Sequence, residues 1–308
     1  MSNSRFAACL VCLLGASIVW LAIGCQKETP APATQTQTTP PVVATVDSVR
    51  SADSVMIYFD SRGQGEQTLV FVHCWSCDRT YWRNQVDEFA RDYRVVSIDL
   101  GGHGQSGLER KRWNMASYGV DVAAVVEKLN LQNMILIGHS MGGPVVIEAA
   151  RLLPGRVAAL VGVDNFQDFS TTYTDEQAQG FVNRLRQPFK KNVYQFVQSM
   201  FPQSVDTSLA NRIANDMASA PDDVALSSLF ETVRYNYRSA LADVRLPIRT
   251  ISSDKYPTYA DANGLIAASF AVRIMSGSGH FPHLEDPATF NRLLRETIAE
   301  FWPRPAER

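Results

Sequence analysis

The stretch that most constrains this chain is Met134-Ile135-Leu136-Ile137-Gly138-His139-Ser140-Met141-Gly142-Gly143, an apolar run that stops at a Gly-x-Ser-x-Gly turn. From there the sequence passes directly into the helical pattern of Pro144 to Leu153. Branched and long apolar residues without polar alternation predict a strand buried on both faces. A serine on so sharp a strand-to-helix turn takes an unfavourable backbone angle, and its neighbours must pass close to other strands. Gly138 and Gly142 occupy those crowded positions, the pattern of a nucleophile elbow. The helix that follows aims unpaired N–H groups and its positive dipole end at Ser140, where they would stabilise an oxyanion, with the N–H of Met141 as one donor. The pentapeptide alone also fits an inert Gly-Ser loop; its strand and helix flanks favour a nucleophile.

The surrounding segments alternate in the same way. Val55 to Phe59, Thr68 to Val72, Arg94 to Ile98 and Val157 to Val163 read as strands, with helical spacing over Tyr81 to Arg91 and Met115 to Leu129. Short strand-helix alternation predicts a mostly parallel sheet with helices on both faces. From about residue 165 to 243 helical segments replace strands, with Pro188 and Pro202 as boundaries, which predicts an inserted helical cap. Strands resume at Ile248 to Ile251 and Val272 to Met275, and Asp286 to Phe301 closes the domain as a helix.

The N-terminal region is different in kind. Arg5 precedes an uncharged run from Phe6 to Cys25, an export signal or membrane anchor. The ending Leu21-Ala22-Ile23-Gly24-Cys25 resembles a bacterial lipoprotein signal, which implies cleavage before Cys25, lipidation of that cysteine and an outer-membrane or cell-surface location. A secreted or periplasmic protein and an uncleaved signal anchor are the alternatives. Residues 26–50, rich in Pro, Thr and Gln, are expected to form a linker too poor in large apolar residues to build a core. The domain proper is then 51–308. The whole chain's 45% hydrophobic content suits an ordinary globular core, and its net charge of −2 suggests no nucleic-acid partner. Oligomeric state is not legible.

Taken in order, Val72-His73-Cys74-Trp75, the loop Asp99 to Ser106, the turn Gly138 to Gly142 and Gly279-His280-Phe281 resemble the signature segments of the α/β-hydrolase fold over roughly residues 55–302. The resemblance implies a serine hydrolase of the esterase or lipase kind acting on a small acyl substrate. Ser140 would be the nucleophile and His280 the general base, with Met141 and Trp75 N–H groups as oxyanion donors. For the acid that orients His280, Asp254 is preferred because it follows the penultimate strand, and Asp164 is the alternative, one strand earlier. His73, His103 and His139 are read as structural. Carbon–carbon bond hydrolysis, lactone opening and perhydrolysis stay open within the fold, and a weakly active ligand-sensing lipoprotein is the rival outside it. No metal or organic cofactor is implied, since no ligand cluster has suitable spacing.

Cys74 stands where the family pattern has glycine and gives a Cys-x-x-Cys pair with Cys77. Two free thiols are the preferred reading, a local disulfide the alternative, and redox chemistry the least favoured. Phe166, Phe169, Tyr173, Phe181, Phe189, Tyr194, Phe196 and Phe201 read equally as core or as the lining of an acyl or ring pocket.

Overall fold

A computed structural model describes residues 45–303; the leader, Cys25 and the linker up to residue 44 lie outside the described residues. The strands are β1 (Thr45–Arg50), β2 (Met56–Arg62), β3 (Thr68–Val72), β4 (Arg94–Ile98), β5 (Met134–His139), β6 (Val157–Val163), β7 (Pro247–Ser253) and β8 (Ser269–Met275). They form one eight-stranded sheet in the order β1-β2-β4-β3-β5-β6-β7-β8. The pairs from β4 onward are parallel, while β1 and β2 add an antiparallel edge.

The strand at Thr45–Arg50 corrects the linker boundary, because all six of its residues pair with β2 from Arg62's neighbour Ser61 back to Met56. A polar sequence with Val46 and Val49 is enough for an edge strand once a partner supplies the hydrogen bonds.

Side chains alternate across the sheet and feed two cores. Leu69, Phe71, Ile135 and Ile137 pack beneath α1 (Arg83–Phe89) and the C-terminal helix. Val70, Val72 and Leu136 pack under α2 (Met115–Lys128) and α3 (Gly142–Leu152), which supply Val122, Val125 and Val146. Between β6 and β7 the chain leaves the sheet for α4 (Asp175–Arg186), α5 (Phe189–Gln198), α6 (Thr207–Met217), α7 (Asp222–Val233) and α8 (Tyr237–Leu241). These helices are amphipathic: Val182 and Leu185 of α4, Val193 and Val197 of α5, and Ile213 and Met217 of α6 are buried in the second core. α9 (Ala260–Gly264), α10 (Pro282–Glu285) and α11 (Pro287–Ala299) complete the chain. Among the described residues no helix is long and apolar enough to cross a membrane.

Candidate active site

Loops at the C-terminal ends of β3, β5, β6 and β8 carry the candidate residues, where open parallel sheets place their sites. Ser140 sits between β5 and α3 at φ 51°, a left-handed conformation that is uncommon outside glycine. It is held there by its own N–H, which donates to the Val163 carbonyl at 3.0 Å, and by Gly143 N–H, which donates to the Ser140 carbonyl at 2.9 Å. A Cβ at Gly142 would lie 2.6 Å from the Val72 carbonyl oxygen, so the close approach of elbow and β3 requires glycine. Asn165, which the sequence reading missed, fastens the same turn: its side-chain amide donates to the carbonyls of Gly138 (2.8 Å) and Ser140 (3.1 Å).

His280 lies in the loop after β8, and its Nδ1 is 2.6 Å from Oδ2 of Asp164. Asp164 follows β6 at φ 44° and is buried; Ser253 N–H donates to its other oxygen at 2.8 Å. Burial alone would raise this carboxyl, but the hydrogen bond and charge coupling to His280, with the Ser253 bond, outweigh it and hold the group below its ordinary value. Asp254, the preferred acid, does not meet His280. It is exposed, and its carboxylate instead accepts the N–H of Gly277 at 3.0 and 3.2 Å. The correction has a simple cause. Ser253 ends β7 with its N–H pointed at Asp164, and the next residue, already outside the sheet, takes the Gly277 N–H instead.

On the other side of the elbow, residues 74–77 form a tight turn closed by a Cys74–Cys77 disulfide and by Cys77 N–H donating to Cys74 O at 3.3 Å. This overturns the preference for two free thiols. Both sulfurs are buried beside Trp75, whose indole N–H donates to Ala225 O of α7 at 2.7 Å. The ring is thereby drawn into the cap.

The remaining histidines support these loops from below. His73 Nδ1 lies 2.7 Å from Cys74 O, and its Nε2 accepts Leu100 N–H at 3.0 Å. His103 packs on it at 5.0 Å between ring centroids. His139 Nε2 lies 2.7 Å from His280 O, with His283 at 4.7 Å between centroids. Burial pushes all four down, His103 and His283 to about 3, so they sit as neutral rings.

Of the aromatic residues singled out above, Phe166, Phe169, Phe189 and Phe201 are buried in the core. Phe166, Tyr173 and Phe181 line a cavity of about 980 Å³ together with Tyr235, Tyr237 and Tyr259, which the sequence reading did not single out. Among the described residues no group of three or more His, Cys, Asp or Glu could hold a metal ion.

Residues 67–287 match the family model described as alpha/beta hydrolase fold. The chain is 25% identical over 242 residues to karrikin insensitive 2 receptor CA of Petunia hybrida, covering 73% of this chain and 89% of that protein. It is 25% identical over 261 residues to a pimeloyl-[acyl-carrier protein] methyl ester esterase of Yersinia enterocolitica, covering 77% and 95%. Among solved structures, a thermophilic esterase from Thermogutta terrifontis superposes with a TM-score of 0.72 at 20% identity, over 84% of this chain and 99% of that one.

Proposed function

The chain belongs to the alpha/beta hydrolase fold family, and on that premise we propose that it is a serine hydrolase of carboxylic esters or similar acyl compounds. The observation that carries this reading is the 2.6 Å contact between His280 Nδ1 and buried Asp164 beside the Ser140 turn. With Nδ1 engaged, Nε2 is the ring nitrogen left for the nucleophile. Ser140 Oγ bonds to the substrate carbonyl carbon while His280 Nε2 takes its proton. The oxyanion is met by the Met141 and Trp75 N–H groups, and the leaving alcohol departs with the proton from His280. Water, deprotonated by the same nitrogen, then releases the acid from Ser140. The esterases among the relatives and solved structures support the reaction class.

The plant receptor among the relatives favours a second reading, a ligand sensor with slow turnover. Treating the protein with a fluorophosphonate probe and a series of short aryl esters separates the two. Rapid labelling and turnover, both abolished in Ser140→Ala, are expected; a folded protein that neither labels nor turns over would sink the enzyme reading.

The same proposal places the protein outside the cytoplasm, anchored to a membrane through a lipidated Cys25. Its supports are the apolar Phe6–Cys25 run and a Cys74–Cys77 disulfide of the kind that persists in oxidising compartments. The mass of the N-terminal peptide from membrane-extracted protein tests it: an unmodified Cys25 would remove the anchor.

A further inference from the structure

Resting on the hydrolase reading of Ser140 and His280, we propose that Glu285 is a positioning residue for the catalytic base, fixing the imidazole through the backbone on both sides of it. Gly279 N–H donates to Glu285 Oε2 at 2.7 Å and Phe281 N–H to Glu285 Oε1 at 3.0 Å. These are the two residues that flank His280, so one carboxylate spans the base. The N–H of His280 itself points the other way and donates to Met200 O at 3.1 Å, in the segment between α5 and α6.

Three successive amides are therefore fixed, the outer two by the same side chain. The packing leaves no slack: a Cβ at Gly279 would lie 2.6 Å from Met200 O and 3.0 Å from Glu285 Oε1. Phe281 is fully buried and stacks on Phe201 at 5.1 Å. Asp254 holds only Gly277, three residues upstream. Nothing else among the described residues bonds both neighbours of the base, and the role belongs to Glu285.

The chemistry explains the residue type. Two N–H donors need two acceptor oxygens at one centre, which a carboxylate supplies. An amide has one oxygen and an NH2 group that would face the second N–H donor to donor. Burial raises the Glu285 carboxyl above its ordinary value and Asp164 opposes its ionisation, while the two amide bonds and His280 act the other way. The amides are thus what keep the carboxylate in place, and it in turn keeps them.

Glu285→Gln is nearly isosteric and removes one bond. A displacement of the base by about 1 Å costs on the order of a hundredfold in rate, so kcat and the fluorophosphonate labelling rate of Ser140 should both fall by up to about that factor with KM within about twofold. The proton shared by His280 Nδ1 and Asp164 gives a downfield NMR resonance, which should shift or broaden in the variant. Hydrogen exchange on the unmodified full chain provides a readout independent of the variant's folding: the Gly279 and Phe281 amides should be strongly protected. Wild-type rates and an unmoved resonance in a folded Glu285→Gln protein would overturn the proposal, as would rapid exchange of those two amides. If wild-type protein is never labelled, the hydrolase reading fails instead, and the resonance and the exchange still decide whether Glu285 holds His280.

Discussion

The turn at residues 74–77 and the histidine loop are both short irregular segments leaving strand ends, and both lean on the cap, yet they are held by different chemistry. Residues 74–77 are closed by a covalent bond, with Trp75 fastened to Ala225 at 2.7 Å and Tyr81 to Asp216 of α6 at 2.6 Å. Residues 277–281 have no covalent closure; two carboxylates and one cap carbonyl hold their amides. A pair of buried neutral histidines lies under each: His73 and His103 beneath the turn, His139 and His283 beneath the loop. A turn that carries a cysteine and a tryptophan in place of a small residue has little room to tighten by hydrogen bonds alone, and the disulfide fixes it. The histidine loop, with Gly277 and Gly279, can wrap around acceptors. One region should therefore answer to reductant, the other to charge.

The sharpest break is expected at the acid. Asp164→Asn should lower kcat by about 10⁴, because the imidazole loses its tautomer and orientation. Asp254→Asn, which disturbs only the outer amide of the same loop, should stay within about threefold. Steady-state kinetics on both decides it, and equal losses would erase the distinction between orienting the ring and bracing the loop.

A smaller effect is expected at the turn. Cys77→Ser, or reduction verified by mass spectrometry, should lower kcat about tenfold with little change in KM, less than the ~10² that removal of a whole oxyanion donor costs. Unchanged turnover with two free thiols would mean that the indole–Ala225 bond alone holds Trp75.

Smallest at neutral pH, and growing below it, is the effect of the histidines. In the unfolded chain each takes a proton near its ordinary value of 6.5, whereas burial holds His103 and His283 neutral down to about 3. Between those values the unfolded chain binds more protons. Stability is therefore whole above about pH 6.5 and declines as pH falls, by about 1.4 kcal/mol per pH unit for each such histidine. His283 stacks on Trp82 at 4.5 Å, and His283→Phe should keep that packing while flattening the slope between about pH 4 and 6 in urea melts by one histidine's share. An unaltered slope would show that His283 is not what couples the loop's foundation to acid.

The parts legible in the sequence are those set by local periodicity. The buried strands around Ser140, the glycines that flank it and the late histidine all follow from patterns within a few residues. Where two segments distant in the chain had to be placed side by side, the sequence was silent. Asp164 and Asp254 both follow strands, and only the register of β6 on β7, which pairs Val163 with Ile251, brings Ser253 N–H to Asp164 and leaves Asp254 outside. The strand at Thr45–Arg50 is polar enough to read as linker until β2 is beside it. Asn165 was invisible for the same reason, since its partners are carbonyls 25 and 27 residues back. Glu285 gave no periodic signal either, although a carboxylate five residues after the histidine, within reach of Gly279, is a short-range cue that could have been followed.

The chain has five histidines, and all of them lie in or packed against the loops that carry the site. Four are sealed at 5% exposure or less, while the His280 side chain is 15% exposed. To an acylating reagent that seeks imidazole, the folded protein is thus a molecule with a single target, and the count of modified rings doubles as a count of intact active sites.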